Sequence, residues 1–353
     1  MAQVPEHPLL SLPDDQIIQK LRKMSMIEIL KFSLLSERCR ELVASIQIEG
    51  SSFHVSIWRN ITIFIKARIE EIEISFYTEP DMYWGNGEHG QKKKLTVPQS
   101  VKVYEYNFIY PDYTETTWEN NTLTMQYWLN HLQYIFNYPK IDRIWFSDDS
   151  FQFDIADIKE VFGKTIKVKI GSTGCFAFNQ MIVQKFSSLE KLSIKASSFP
   201  NSKVPESTLI QNFDELHVGG IMEITSMTLD ELLLINSKTV IVENHQMPKK
   251  LLNNFIKLWQ KGSNPHMEFL CTFYLNAEED DREIVMRGIK HEVVPDNRKR
   301  MFKSVGLTDT SPVTGGIDIY RMDGTKATIQ INNGLMFFIV RMYVWFDHCV
   351  VES

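Results

Sequence analysis

Few side chains in this chain have the types and spacing that active-site chemistry requires. Its nine histidines do not cluster, and it has no H-E-x-x-H metal motif, no G-x-S-x-G nucleophile elbow and no phosphate-binding P-loop. The four cysteines, Cys39, Cys175, Cys271 and Cys349, are far apart in the sequence and form no pair with metal-ligand or redox spacing. The sequence therefore predicts no catalytic residues, no metal site and no cofactor.

Two local patterns look like sites but have ordinary structural interpretations. Residues 85–90 read G-x-G-x-x-G, yet a dinucleotide site needs a strand before this motif and a helix after it. Here residues 91–94 lead into another strand pattern, so we predict a loop between strands. Asp148 and Asp149 follow a predicted strand, and adjacent carboxylates there are typical of a turn.

Composition and charge bound the class of protein. The net charge of −6 gives no attraction to nucleic acid or to an anionic membrane. Residues 1–8 lack the basic and apolar parts of a signal peptide. The apolar run 334–346 is interrupted by Arg341 and is shorter than the roughly 20 residues of a membrane helix. We expect a soluble intracellular protein, cytoplasmic or nuclear, whose cysteines are reduced.

The elements that position any site follow a repeat in the middle of the chain. Two apolar residues with one residue between them recur every 24 residues. The pairs are Ile144 and Phe146, Val168 and Ile170, Leu192 and Ile194, Leu216 and Val218, and Val240 and Val242. A sixth strand around Phe269 and Cys271 follows at a spacing of 29. This period is typical of leucine-rich repeats, in which stacked units form a parallel sheet. Because the usual Asn ladder is missing, we predict an irregular curved sheet.

The residues between the buried apolar positions point to the opposite, concave face of such a sheet. Equivalent positions of neighbouring strands form rows across the sheet. Basic side chains gather on this face over the first three repeats, and Trp145 and His217 lie in a neighbouring row. The candidate substrate-binding residues are Arg143, Trp145, Lys167, Lys169, Lys191, Lys195 and His217. One interpretation is that the lysines only solvate one face of the sheet. The other is a recognition patch for an acidic or phosphorylated segment, with Trp145 as its apolar anchor.

The flanking segments have different patterns. Residues 8–46 predict three short helices, and residues 53–110 predict antiparallel strands with one buried face. Helices are predicted at 121–138 and at 248–261, where Gly262 ends the second one. The stretch 278–312 is charged and polar and predicts a helix plus loops. Residues 317–346 predict an antiparallel meander with hairpin turns at Asp323-Gly324 and Asn333-Gly334.

The N-terminal helices carry a family resemblance. Residues 8–13 (PLLSLP), Ile17, Leu21, residues 26–30 (MIEIL) and residues 33–42 (SLLSERCREL) together resemble an F-box. That motif docks on the Skp adaptor of SCF-type ubiquitin ligases. Met26 stands where the family often has Pro, and Cys39 where it often has Trp.

A second resemblance lies in the helix before the sixth strand. Residues 253–265 (NNFIKLWQKGSNP), followed by 267–270 (MEFL), are similar to the type 2 F-box-associated domain of nematode F-box proteins. In that family the domain follows an N-terminal F-box, which is the order found here.

The two resemblances imply a substrate-recognition subunit of an SCF-type ligase and no enzyme. Its expected partners are the Skp adaptor, through it a cullin, and an unidentified protein substrate, with no nucleic acid and no membrane. The resemblance assigns adaptor binding to Leu12, Pro13, Ile17, Leu21, Leu34, Leu35 and Cys39. The alternatives are a non-ligase interaction scaffold with a degenerate F-box, or an enzyme whose site has no short motif.

The predicted fold class is α/β: a three-helix F-box, then an irregular leucine-rich-like parallel sheet with antiparallel β segments at both ends. We divide the chain into an F-box at 8–48, an antiparallel β segment and helix at 53–130, repeats with the F-box-associated signature at 131–277, and a helix, loop and antiparallel β cap at 278–353.

Overall fold

The protein divides into two compact units, residues 1–166 and 167–353. The computed structural model describes residues 7–77, 92–95, 97–107, 113–119, 121–220, 227–243, 247–275, 278, 280–307, 310–333 and 337–351. No helix in the described part of the chain combines the length and apolar character needed to cross a membrane. The division of the chain into four domains stays a prediction. The boundary between the two compact units falls inside the third predicted domain, 131–277.

The first unit begins with three short helices, as the sequence predicts. Ser25 begins the second helix with a capping box, in which its hydroxyl accepts from the Glu28 amide and the Glu28 carboxylate accepts from the Ser25 amide. Ser36 caps the third helix, and its hydroxyl accepts from the Cys39 amide. The helices of this unit are α1 (Asp14–Leu21), α2 (Met26–Ser33), α3 (Glu37–Ser45), α4 (Met125–Ile135) and α5 (Ile155–Phe162).

The sheet of the first unit is antiparallel except at one edge. Its strands are β1 (Gly50–Ile57), β2 (Ile61–Ala67), β3 (Glu70–Tyr77), β4 (Ser100–Asn107), β5 (Tyr113–Glu119) and β6 (Ile141–Phe146). Consecutive strands from β1 to β5 pair antiparallel, and β6 pairs parallel to β1. Ile63 lies opposite Ile74, Ile65 opposite Ile72, and all four side chains are fully buried. The predicted alternation with one buried face is therefore confirmed.

The second unit contains parallel strands connected by helices. The strands are β7 (Thr165–Ile170), which begins just before the boundary, β8 (Lys191–Ile194), β9 (Glu215–Gly219), β10 (Thr239–Glu243) and β11 (Phe269–Leu275). The helices are α6 (Phe176–Lys185), α7 (Glu206–Leu209), α8 (Leu229–Leu234), α9 (Lys249–Gln260) and α10 (Asp281–Met286). From β7 to β10, residues 24 positions apart are paired, for example Leu192 with Leu216. The classification of these units as a leucine-rich-like array stays a prediction.

The sixth strand is shifted by one residue from its predicted register. Val240 lies beside Leu270 and not beside Phe269, and Ile241 lies beside Cys271. Because side chains alternate between the two faces, this shift moves Phe269 and Cys271 to the face opposite the buried Val240. Both are nevertheless buried, since an apolar cluster with Phe302 and Cys349 covers that face at β11. The prediction that this pair continues the repeat core was wrong.

An antiparallel arrangement completes the second unit. Its strands are β12 (Glu292–Phe302), β13 (Ser311–Tyr320), β14 (Lys326–Asn333), β15 (Phe337–Val344) and β16 (Val350–Val351). The order of paired strands from β11 is β11, β15, β14, β13, β12 and β16. Within 278–312 the predicted helix is present as α10, but β12 occupies residues predicted to be loop. Pro295 lies in an irregularity between Val294 and Lys299, and most β12 side chains are exposed, so this strand has no alternating apolar pattern.

Two local predictions in the second unit are confirmed. Helix α9 ends in a Schellman motif, because the Ser263 amide donates to the Leu258 carbonyl and Gly262 has a φ of +106°. The turn at Asp323-Gly324 joins β13 to β14, with Gly324 at φ +87°. The turn at Asn333-Gly334 reaches residues 334–336 and the glycine motif occupies 85–90, so both lie outside the described residues.

Candidate interaction surfaces

The seven predicted adaptor-binding residues divide into a buried and a surface group. Ile17, Leu21 and Cys39 are fully buried between the helices of the first unit, so they support the helical core and offer no contact surface. The others are accessible to different degrees. Leu12 and Leu34 are half-buried, Pro13 is exposed, and Leu35 is 43% exposed. The candidate adaptor surface therefore reduces to Leu12, Pro13, Leu34 and Leu35.

The start of α2 is tied to the sheet of the first unit. The buried carboxylate of Glu105 on β4 accepts from the Met26 amide at 2.9 Å and from the Ile27 amide at 3.3 Å. A negative charge at a helix N-terminus is stabilising, because the first amide groups have no partner within the helix. Proline at position 26, which is common in the F-box motif that this segment resembles, would remove one of these donors, so Met26 allows a contact that proline would not make.

A histidine on α4 connects that helix to α2. His131 is 1% exposed, and its Nε2 lies 2.8 Å from the Ser33 hydroxyl. Burial, and then the nearby charge of Arg40, lower the pKa of His131 to about 4. The imidazole is therefore neutral at physiological pH and acts as a structural hydrogen-bonding group.

Two predicted substrate-binding residues belong to the first unit. On β6, Arg143 lies beside His54 of β1, and the Arg143 Nη2 is 3.4 Å from the His54 Nδ1. Trp145 on the same strand is 39% exposed. The other five, Lys167, Lys169, Lys191, Lys195 and His217, belong to the second unit.

The parallel strands of the second unit place the predicted surface residues side by side in rows that cross the strands. Lys167, Lys191 and Glu215 are neighbours in one row, across β7, β8 and β9. The Glu215 carboxylate lies 2.5 Å from the Lys167 Nζ and 3.5 Å from the Lys191 Nζ. These lysines therefore share a carboxylate that is 7% exposed, which lowers the positive charge expected of the patch.

The chain itself covers part of this face. The segment 302–307 reaches the same row, where the Lys191 Nζ donates to the Gly306 carbonyl at 2.8 Å. On β10, two strands from Lys191, the Thr239 hydroxyl lies 2.8 Å from the Ser304 hydroxyl. A Cβ at position 306 would collide with Thr239, so the close approach requires glycine.

The next row is partly accessible, although Ser193 within it is only 4% exposed. Lys169, Ser193 and His217 are paired neighbours across β7 to β9. The His217 Nε2 lies 3.4 Å from the Glu243 carboxylate. Lys169, His217 and Lys195 are half-buried. These three residues therefore stay partly accessible candidates for target binding.

Two asparagines of the segment that resembles an F-box-associated domain have structural roles. Asn253 on α9 is buried, and its Nδ2 donates to the carbonyls of Val285 and Arg287 at 2.8 and 2.9 Å. Asn264 donates to the carbonyl of Ile235 at 2.8 Å. These amides satisfy carbonyls at the C-terminal ends of α10 and α8, which have no partner within their helices.

A groove of about 1020 Å³ lies in the antiparallel part of the second unit. Arg300, Lys326 and Trp345 line it. The guanidinium of Arg300 lies 4.7 Å from the Trp345 ring centroid and bonds to the carboxylate of Asp318, which also lies 3.7 Å from the Lys326 Nζ. Because the Asp318 carboxylate offsets the positive charges of Arg300 and Lys326, the groove lining does not favour one class of ligand.

Sequence reasoning missed a polar group near the end of the chain. A carboxylate oxygen of Glu268, a ring nitrogen of His348 and the Sγ of Cys349 all lie within 4.8 Å of one another. Burial, and then the Glu268 carboxylate, raise the pKa of the Cys349 thiol to about 12. Because Glu268 is 80 residues from His348, no local spacing in the sequence indicates this group.

Comparison with known proteins agrees with the second resemblance. Residues 204–272 match the family described as F-box associated. The F-box associated domain-containing protein sdz-33 of Caenorhabditis elegans is 24% identical over 339 residues, covering 94% of this chain and 95% of that protein. No solved structure matches the chain. The resemblance to nematode proteins with an F-box-associated domain, predicted from the sequence, is therefore confirmed.

Proposed function

We propose that the protein is the substrate-recognition subunit of an SCF-type ubiquitin ligase. The observation that carries this proposal is the F-box-like helical unit, which keeps Leu12, Pro13, Leu34 and Leu35 at or near the surface. It precedes an F-box-associated domain in the chain. Exposed apolar side chains on a small helical unit favour docking on a protein partner. Here that partner is the Skp adaptor, and a cullin binds through it.

In this proposal the second unit contains target-binding residues, and Arg143 and Trp145 of the first unit are separate candidates for target binding. Its repeats form an irregular leucine-rich-like array, and the row of Lys169, Ser193 and His217 with Lys195 binds an acidic segment of the target. The protein makes and breaks no bonds. It raises the effective concentration of the target near the ubiquitin-loaded enzyme, in the cytoplasm or nucleus.

Co-purification with the Skp adaptor tests this proposal. Wild type is expected to bind in a ratio near one to one, and Leu35→Asp to lose binding because it places a charge in an apolar contact. Val293→Asp is the matched control, since Val293 is an exposed apolar residue of the second unit at 71% exposure. Circular dichroism shows whether each variant is folded.

A non-ligase scaffold is the second candidate. The burial of Ile17, Leu21 and Cys39 favours it, because only four of the seven predicted contact residues remain available. If folded wild type does not bind the adaptor, the ligase assignment is lost and the scaffold takes its place.

A further inference from the structure

We propose that Glu268, His348 and Cys349 form a binding site for one Zn²⁺ ion. Glu268 immediately precedes β11, and the other two residues lie in the 3₁₀ turn Asp347–Cys349 near the end of the chain. Their ligand atoms lie within 4.8 Å of one another. All three residues belong to the second unit, and the proposal does not depend on the ligase assignment.

The donor set matches the preferences of zinc. A thiolate, an imidazole and a carboxylate are its usual protein ligands, with bonds of about 2.0–2.3 Å. The His348 Nε2 and Glu268 Oε1 are 3.0 Å apart, close to the separation of about 3.3 Å that these bond lengths give in a tetrahedral site. The mixture of soft sulfur and harder oxygen favours zinc over Mg²⁺ or Ca²⁺, which prefer oxygen ligands.

The carboxylate is oriented by its other hydrogen bonds. Glu268 is 3% exposed, and its Oε2 accepts from the Ser304 hydroxyl at 2.8 Å and from the Val305 amide at 3.4 Å. Lys238 nearby is paired with Asp214 at 2.7 Å. Such outer contacts hold a ligand in position, so Oε1 faces His348 without a change of rotamer.

The ion can enter from solvent and neutralise buried charge. The side chain of His348 is 61% exposed, while Cys349 is fully buried. As the Zn–S bond forms, the thiol S–H bond breaks and its proton leaves to solvent. Three protein ligands leave a fourth position for water. The bound ion would tie β16 and the last turn to the start of β11.

Zinc binding to the full-length protein tests the proposal. After removal of metal with a chelator, wild type is expected to bind one equivalent of Zn²⁺ in competition with a chromophoric chelator. Co²⁺ at the same site is expected to show a thiolate-to-cobalt charge-transfer band. His348→Gln and Cys349→Ser should weaken Zn²⁺ binding by more than about tenfold, because each removes a direct ligand.

Two matched variants separate loss of a ligand from general damage. Cys271→Ser removes another buried thiol of the same apolar cluster, and His266→Gln removes an exposed histidine near Glu268. Both should bind Zn²⁺ like wild type. His348→Gln changes an exposed side chain, so it tests the site even if Cys349→Ser does not fold. Absence of stoichiometric binding, a Co²⁺ complex without the thiolate band, or unchanged affinity in His348→Gln would overturn the proposal.

Discussion

Single buried polar residues fix the geometry of both units. Glu105 holds the start of α2, His131 bonds to Ser33, and Asn253 satisfies two carbonyls at the C-terminal end of α10. Removing one partner from such a contact leaves a buried polar group unsatisfied, which costs about 1–3 kcal/mol. These contacts join residues far apart in the sequence, so they determine how the helices pack and not whether they form.

His131 predicts a pH dependence of stability in the first unit. Its pKa is near 6.5 in the unfolded chain and about 4 in the folded protein, so the folded state resists protonation. The stability that neutral His131 contributes to the folded state is therefore complete above pH 6.5 and is lost as the pH falls toward 4. We expect the free energy of unfolding to decrease by about 1.4 kcal/mol for each pH unit in this window, measured by urea denaturation.

The matched variant for this prediction is His131→Gln, which keeps a polar group beside Ser33 but cannot titrate. The difference between wild type and variant should shrink steadily from pH 7 to pH 4.5, while carboxylates contribute equally to both proteins. A constant difference in the free energy of unfolding over that range would exclude His131 as the source of the pH dependence.

The packing of α9 against α10 depends on one of two adjacent asparagines. Asn253 is buried and bonded to the carbonyls of Val285 and Arg287, whereas Asn254 is exposed. We expect Asn253→Ala to lower the free energy of unfolding by about 1–3 kcal/mol, because it leaves the two carbonyls without a donor. Asn254→Ala should change it by less than about 0.5 kcal/mol. Chemical denaturation measures both, and equal effects would refute the structural role of this signature residue.

Elements with a strong periodic pattern could be predicted from the sequence. The 24-residue spacing gives the register of β7 to β10, and apolar alternation gives the pairing of β2 with β3. Helix α9 could be bounded because Gly262 follows it. By contrast β12 has a proline and mostly exposed side chains, so hydrophobic periodicity has nothing to detect. The face of β11 was mispredicted because a shift of one residue inverts every side chain.

Candidate sites were less predictable than strands. The row of Lys167 and Lys191 follows from the repeat, but its neutralisation by Glu215 depends on side-chain conformations. Gly306 and Ser304 contact this row, but they lie more than 60 residues after Thr239, the last residue of the row in the sequence. For the adaptor residues, motif position alone cannot separate contact side chains such as Leu35 from core side chains such as Ile17.

For the molecule as a whole, the receptor proposal requires two binding activities on separate parts of the chain. Leu35 belongs to the first unit, and Lys169 and Lys195 belong to the second. A scaffold with a degenerate F-box would use only the second set. Variants in the two units therefore distinguish a receptor, which joins two partners, from a scaffold, which does not.

We expect the two activities to be lost independently. Leu35→Asp should lose the Skp adaptor and cullin but keep other bound proteins, because the second unit is unchanged. Lys169→Glu with Lys195→Glu should keep the adaptor and reduce capture of acidic targets at least about tenfold, since like charges across an interface cost several kcal/mol. Lys185→Glu, on the exposed side of α6, is the matched charge reversal and should bind both. Quantitative mass spectrometry of proteins bound to each variant measures this. Loss of the adaptor from the lysine variant, or of the same partners from both variants, would contradict a receptor with separate surfaces, because changes in one unit would then disrupt binding assigned to the other.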